Sequence, residues 1–288
     1  MGVLLGLLTA LTWGSSDFLA RFATRRIGSL RTTLYMQFTG LLLLTICLPW
    51  VGGWGHLFDG SGWQPWAWGV LAGILNGVAS LALYRSFEVG KMAVVAPLSA
   101  SYPALTVVLS FFSGEHLSVF RAAGIVLVLV GVIAVARGES ATSEPAAAKA
   151  SNGIGWAILS AVGFGILFWL LGARVVPAVG FAATVWMIRL TSSILTAGVI
   201  LAGSQRIAPP REMSISGLLL TMGLLDTAAF VLNNRGLQLE QVSVVSVLAS
   251  LYGAVTVLLA AVFLRESLAG WQWLGIAAIF AGIGLISH

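Results

Sequence analysis

The sequence predicts an all-α polytopic membrane protein of ten transmembrane helices, arranged as two inverted five-helix repeats. Three observations predict this fold class: the composition, ten long apolar segments and an internal repeat. Apolar residues make up 58% of the chain and charged residues 9%, whereas soluble domains contain about 45–50% and about 25%. So few charges cannot provide a polar surface, so the bilayer has to be the solvent of this chain.

The apolar segments set the number of helices, because crossing about 30 Å of hydrocarbon takes about 20 apolar residues. The first segment lacks a basic start and a clean cleavage site, so we expect a spanning helix rather than a signal peptide. The ten predicted helices lie near 2–22, 31–51, 66–86, 91–113, 119–137, 153–172, 180–203, 213–235, 242–264 and 268–287.

The internal repeat has a constant shift of 150 residues through its clearest part. Tyr84-Arg85 recurs as Asn234-Arg235 in this register. The same shift carries Val94, Val95, Leu98, Tyr102, Ala104 and Thr106 onto Val244, Val245, Leu248, Tyr252, Ala254 and Thr256. After one inserted residue, Gly124 matches Gly275 and Gly131 matches Gly282.

A polar stretch of small residues, 138–152, is the predicted linker between a first repeat at 1–137 and a second at 153–288. Each repeat holds five helices, and five is odd. The second repeat therefore enters the membrane inverted, which places a pseudo-two-fold axis in the membrane plane.

Basic residues are distributed unevenly between the two sides of the membrane. Loops after odd-numbered helices hold eleven Lys and Arg residues, and loops after even-numbered helices hold three. The positive-inside rule then predicts that the odd-side loops lie in the cytoplasm and both termini lie outside.

Asp226 is the most informative side chain, because it lies near the middle of predicted helix 8. A charge there costs on the order of 2.5–3.5 kcal/mol. The repeat shift pairs Asp226 with Asn76 in helix 3. We expect the two polar groups to meet near the repeat axis, where transporter sites tend to lie. Arg189 in helix 7 needs a counter-charge, and Asp226 is the obvious candidate.

Helical spacing places further candidates on the same faces of helices 3 and 8. They are Ser80 and Tyr84 beside Asn76, and Phe230 and Asn233 beside Asp226. Two interpretations of the charged residues stay open: a substrate or coupling site, or a buried structural ion pair, which stabilises little but is costly to break.

Other polar and aromatic residues inside helices form a second group of candidates. Asp17 lies four residues before Arg21, a spacing that also suits a structural pair near the interface. Trp13 and Trp169 suit either stacking against an apolar or cationic solute or plain packing. Two interpretations are open for a set of hydroxyl groups inside helices, solute binding and bridging between neighbouring helices. These hydroxyl groups belong to Tyr102, Tyr252, Ser99 and Ser246. Pro97 and Pro103 predict a kink in helix 4.

Several classes of site are absent from the sequence. Cys47 is the only cysteine, and the three histidines are far apart, so we expect neither a disulfide nor a metal site. No clustered nucleophiles or acid/base pairs indicate an enzyme, and we expect no cofactor. A phosphate-binding loop is also absent, so the energy source would be a gradient of ions or of the solute itself. The chain has no basic stripe for a nucleic acid.

Several motifs resemble the EamA-type transporters of the drug/metabolite transporter superfamily. They are Trp13-Gly14-Ser15-Ser16, the run from Ala96 to Pro103, the run from Gly114 to Ser118, the run from Arg265 to Leu268, and the run from Trp271 to Gly275. The resemblance implies a ten-helix, basket-like transporter of a bacterial inner membrane, often an exporter, with both termini in the cytoplasm. Arg189 matches an arginine common early in the second helix of an EamA unit; the first repeat has Gln37 and Phe38 there.

The expected function is secondary transport, with export of an amino acid, amine or drug-like solute by alternating access between the repeats. The alternative is an uncoupled facilitator, channel or lipid scramblase. Expected partners are the small-molecule solute, the lipid bilayer, and protons or another coupling ion. Two fused repeats make a monomer plausible.

Overall fold

The computed structural model describes residues 1–51, 57–90, 92–136, 147–203, 207, 212–264 and 270–286. Within those ranges every regular element is helical. A π-helical segment, Leu171–Val175, joins α7 to α8. The helices are α1 Gly2–Ile27, α2 Ser29–Val51, α3 Gln64–Val89, α4 Met92–Ser99, α5 Pro103–Phe112, α6 Val119–Ala136, α7 Ala147–Leu170, α8 Val176–Val179, α9 Phe181–Ala202, α10 Met213–Leu237, α11 Val242–Ala249, α12 Tyr252–Leu264 and α13 Gly270–Ile286.

Six of these elements are long and apolar enough to cross a membrane: α1, α2, α3, α9, α10 and the continuous stretch from α7 to α8. Shorter apolar helices account for the other predicted spans. α4 with α5 forms predicted helix 4, α6 forms helix 5, α11 with α12 forms helix 9, and α13 forms helix 10. The predicted all-α membrane architecture is confirmed.

Predicted helices 4 and 9 are each broken in the middle. Turns at 100–102 and 250–251 separate α4 from α5 and α11 from α12. Pro97 and Pro103 account for the first break, but 242–264 contains no proline. Because both repeats break at equivalent positions, the break belongs to the repeated fold and proline is not its only cause.

Predicted helix 6 is longer than 153–172 at both ends. α7 begins at Ala147, inside the predicted linker, and the helical path continues to Val179. The part of that linker before Ala147 lies outside the described residues.

The packing of α6 against α13 shows the two-fold relation between the repeats directly. A Cβ added to Gly124 would lie 2.7 Å from the Gly282 carbonyl oxygen, and one added to Gly131 would lie 2.7 Å from that of Gly275. Gly124 matches Gly275 in the repeat and Gly131 matches Gly282, so the contact exchanges equivalent positions between two antiparallel helices. Only glycine allows backbones to approach this closely.

Two threonines repeat the same relation nearer the centre of the molecule. The Thr106 hydroxyl of α5 donates to the Gly165 carbonyl of α7 over 3.0 Å. The Thr256 hydroxyl of α12 donates to the Gly14 carbonyl of α1 over 3.2 Å. These equivalent contacts place the aromatic residue before each glycine, Trp13 and Phe164, at matching positions in the two halves.

Candidate functional site

A cavity lies between the two repeats and is lined by both. Its volume of ≈ 30 Å³ gives room for about two water molecules. A larger solute therefore enters only if the helices around the cavity move apart. The lining residues are Trp13, Asp17, Ser80, Leu83, Tyr84 and Tyr102 of the first repeat, and Phe164, Phe168, Asp226, Phe230 and Tyr252 of the second.

The carboxylate of a buried ion pair forms part of the polar wall of this cavity. Arg189 Nη2 of α9 lies 2.5 Å from Asp226 Oδ2 of α10, and the arginine side chain is completely buried. Asp226 Oδ1 accepts a hydrogen bond of 2.9 Å from the indole Nε1–H of Trp13. Arg189 thus has the counter-charge that the sequence predicts, and the carboxylate also joins α10 to α1 of the other repeat.

The guanidinium of Arg189 is held on two further sides. Its Nη1 donates to Gln37 Oε1 of α2 over 2.5 Å, and its Cζ lies 4.9 Å from the centroid of the Phe230 ring. An aromatic face attracts a cation, more strongly where water is excluded. Gln37 occupies the position in the first repeat that Arg189 occupies in the second, so the two equivalent residues contact each other across the repeat axis.

Asn76 contacts α9 rather than the cavity. Its Nδ2 donates to Ser192 Oγ over 3.1 Å, and the Ser192 hydroxyl donates to the Gly73 carbonyl over 2.8 Å. No hydrogen bond in the described part of the chain joins Asn76 to Asp226, and of the two residues that the repeat pairs, only Asp226 lines the cavity. Gly73 lets α3 approach α9 closely, which draws Asn76 into that interface.

The other candidates on α3 and α10 separate into two groups. Ser80 and Tyr84 line the cavity, and the Tyr84 hydroxyl donates to Met36 Sδ over 2.8 Å. Asn233 is fully buried outside the cavity wall. Its amide has no hydrogen-bond partner among the described residues.

The matched tyrosines at the helix breaks both reach the cavity. The rings of Tyr102 and Tyr252 are nearly parallel, with 13° between their planes and 6.4 Å between centroids. Tyr102 donates to the Ser246 carbonyl over 3.1 Å, whereas the buried hydroxyl of Tyr252 has no partner in the described ranges. Ser99 and Ser246 are buried behind this wall and do not line the cavity.

Asp17 lines the cavity. The spacing of Asp17 and Arg21 in the sequence also suited a structural pair near the membrane interface. Only 6% of Asp17 is exposed, and its side chain lines the cavity together with that of Asp226. Among the described residues it makes no ion pair with Arg21. Asp17 lies one helical turn after Trp13, whose indole bonds Asp226 of α10, so both side chains share one face of α1 and line the cavity together.

Trp169 does not reach the cavity. Its indole N–H donates to Ser113 Oγ over 2.8 Å at an exposed position. The aromatic wall is formed instead by the preceding residue, Phe168, together with Phe164. The repeat could have identified Phe164, because Phe164-Gly165 matches Trp13-Gly14.

Phe168 lies at the centre of an aromatic cluster that spans both repeats. Its ring centroid is 4.8 Å from that of Tyr102 and 5.4 Å from that of Trp13. The Phe230 ring lies 6.1 Å from Phe168 and is nearly parallel to it. The cavity thus has one charged, hydrogen-bonded side and several flat aromatic faces.

Comparisons with known proteins agree with this arrangement. The EamA-like transporter family matches the chain twice, at residues 1–137 and 151–288. A protein of Methanocaldococcus jannaschii named "Uncharacterized protein MJ1333.1" is 30% identical over 132 residues, which is 46% of this chain and 93% of that protein. That relative is therefore about one repeat long.

A protein of known crystal structure has the same fold. It superposes with a TM-score of 0.77 at 19% sequence identity, over 99% of this chain and 95% of its own. The ten-helix fold with two repeats is confirmed by the double family match. The chain belongs to the EamA-like transporter family and is a multi-pass membrane transporter of the drug/metabolite transporter superfamily.

Proposed function

We propose that this protein is a secondary transporter that exports a small metabolite by alternating access between its two repeats. The observation that carries this proposal is the central cavity, which both repeats line and whose wall includes Asp226, the buried ion-pair partner of Arg189. Intramembrane ionisable residues are costly, and they commonly mark substrate or ion pathways.

The broken helices support the same site. The turns between α4 and α5 and between α11 and α12 lie beside Tyr102 and Tyr252, both of which line the cavity. Non-helical backbone at membrane depth is tolerated where it is buried in protein or lines a polar cavity. Transporter sites near the bilayer midplane are typically built from such discontinuous helices.

Asp226 has the contacts that a coupling residue needs. Trp13 donates to it from the first repeat, and its partner Arg189 is bonded to Gln37, also of the first repeat. Rocking of the repeats would break these bonds, and a solute or a proton could then replace them. Such differential contacts are what a ligand needs to shift the equilibrium between two conformations.

One face of the molecule is held together by polar contacts between the repeats. Arg121 of α6 donates to Glu240 and to Gln241, in both cases over 2.8 Å. The repeat-equivalents of Arg121 and Glu240 are Gln272 and Gly90. The sequence therefore provides this ion pair on one face only, which supports a conformation that is closed on that face.

We place the protein in a bacterial cytoplasmic membrane, with the solute leaving the cell. The eleven-to-three distribution of basic residues supports both termini outside. An amine, an amino acid or a drug-like solute each suits one buried ion pair with aromatic walls. A toxicity screen of metabolites against cells with and without the overexpressed protein would identify the solute.

The test of the proposed function is transport of that solute into proteoliposomes. We expect Asp226→Asn to lower the transport rate at least about ten-fold, because a neutral amide loses a charge-assisted bond worth about 1.5–3 kcal/mol. The matched control is Asp59→Asn, the same change in an exposed loop. Equal rates and equal pH dependence for Asp226→Asn and wild type would contradict the coupling role.

Counterflow separates an alternating-access carrier from a channel-like facilitator. An exchanging carrier loaded with unlabelled solute transiently accumulates labelled solute. A channel or scramblase lets both solutes equilibrate without this accumulation.

A further inference from the structure

We infer that the central cavity binds an organic monocation, an amine that carries an apolar or aromatic group, and that Asp17 is its counter-ion. This inference rests on the proposed function, because it names the class of solute for the same cavity. It depends on the charges around the cavity and on which of them are already paired.

Asp17 is the one carboxylate of the cavity wall without a counter-charge in the described part of the chain. Both oxygens of the other carboxylate, Asp226, are engaged, one by Arg189 and one by Trp13. Asp17 is only 6% exposed, lines the cavity, and makes no hydrogen bond or ion pair with the described residues. A buried charge is costly unless it is paired, so a bound cation would stabilise this side chain.

Among the described residues, the elements packed against α1 place no cation in the cavity wall beside Asp17. These elements are α2, α3, α10, α11 and α12. The titratable groups that they place in the cavity wall are Asp226, Tyr84 and Tyr252, and the turn before α5 adds Tyr102. With Arg189 balancing one of the two carboxylates, the site has a net charge of −1 when both are ionised. One positive charge in the cavity makes it neutral.

The aromatic walls suit an organic cation better than a metal ion. Trp13, Phe168 and Tyr252 lie around the same space, with centroid distances from Trp13 of 5.4 Å and 6.4 Å to the other two. Ring faces attract ammonium groups and pack against apolar groups. The Phe230 ring already receives the guanidinium of Arg189, so aromatic rings in this part of the molecule do accept cations.

A zwitterion fits less well than a cation. The carboxylate of an amino acid would need a positive partner, and Arg189 is a cation that contacts the lining residues Asp226 and Phe230. Arg189 is itself absent from the cavity lining and is bonded to Asp226 and Gln37, with Phe230 covering its face. Binding a carboxylate there would require the ion pair to open.

Three probes of nearly equal shape test the charge directly: phenethylamine, phenylalanine and 2-phenylethanol. Purified protein in lipid nanodiscs is titrated with tritiated phenethylamine at pH 7, and the other two are added as competitors. For wild type we expect saturable amine binding, with the alcohol weaker by about ten-fold or more, since it lacks the charge-assisted contact. Phenylalanine should also be weaker than the amine.

Substitutions of Asp17 test whether its carboxylate is the counter-ion of the bound amine. Asp17→Asn should weaken amine binding about ten-fold or more and leave the alcohol unchanged, because only the amine uses the carboxylate. Asp17→Glu should retain the preference for the amine. The matched control, Asp59→Asn, should behave as wild type. A gel-filtration profile like that of wild type shows that each variant is folded.

Three results would overturn the inference: no saturable binding of phenethylamine, equal affinities for the amine and the alcohol, or wild-type affinity in Asp17→Asn. The comparison of probes on wild type decides the question even if a variant does not fold. The same experiment distinguishes failure of this inference from failure of the proposed function. If phenylalanine or the alcohol binds and Phe168→Ala weakens that binding, the cavity remains the solute site and only the assigned charge is wrong.

Discussion

Trp13 is the residue that connects the charged and the aromatic sides of the cavity. Its ring contacts Phe168 and Phe230, and its indole N–H donates to Asp226 of the other repeat. A single side chain thus joins α1 to α10 through a hydrogen bond to a charged group. Such bonds are worth about 1.5–3 kcal/mol each.

Trp13→Phe tests this contact, because it keeps an aromatic ring and removes the donor. We expect Trp13→Phe to unfold at a lower temperature in detergent, with its free energy of unfolding reduced by about 1.5–3 kcal/mol. We also expect it to transport solute more slowly. Trp169→Phe is the matched control, because its indole N–H bonds Ser113 at an exposed position. Equal thermal stability and transport in both variants would show that the bond to Asp226 contributes nothing.

At the scale of the elements, tight turns set how neighbouring helices enter the membrane. Gly28 ends α1 immediately before α2, and Gly180 lies at the equivalent place between α8 and α9. Their φ angles are 83° and 88°, in the left-handed region that favours glycine. Each repeat therefore reverses the chain with a single residue.

Gly28→Ala separates backbone strain from crowding, because no atom beyond the two neighbouring residues in the chain lies within 4 Å of the added Cβ. We expect a loss of about 1–2 kcal/mol of stability from the left-handed conformation alone. Gly198→Ala, in the interior of α9 and also with open space around its Cβ, should be neutral or stabilising. The measurement is thermal unfolding in the same detergent, and a destabilised Gly198→Ala with an unaffected Gly28→Ala would contradict the argument.

At the scale of the whole molecule, the repeats have to separate on one face and close on the other. The ion pair of Arg121 and Glu240 joins the repeats on one face, and Ser243 N–H also donates to Glu115 there over 3.2 Å. These contacts have to break whenever that face opens.

A reversible cross-link tests whether this face opens during transport. In a Cys47→Ser background, the pair Arg121→Cys and Glu240→Cys is joined by a short, cleavable bifunctional thiol reagent. Transport should fall to background and return after cleavage, because alternating access needs the face to open. Either single cysteine with the same reagent is the control. Full transport by the cross-linked protein would show that this face stays closed.

Orientation is also a property of the whole molecule. The distribution of basic loop residues predicts both termini outside. A C-terminal alkaline phosphatase fusion should therefore be active and a C-terminal green fluorescent protein fusion dark, because each reporter works on one side only. The reverse pattern would place both termini in the cytoplasm, as the family resemblance implies.

The sequence alone determined the number of helices, the two repeats and the charged centre. Lipid requires long apolar segments, and a duplicated unit leaves matching residues at a constant shift. A charge in mid-membrane is costly, so Asp226 and Arg189 stood out and indicated each other as partners. These features depend on composition and order along the chain.

The tertiary structure decided which faces of the helices meet. Asn76 bonds Ser192 of α9, Asp17 turns into the cavity, and Trp169 lies outside it while Phe168 lies inside. Each outcome depends on the rotation of a helix about its own axis and on its neighbour from the other repeat. Periodicity within one apolar helix does not encode either, because lipid and protein interior favour the same residues.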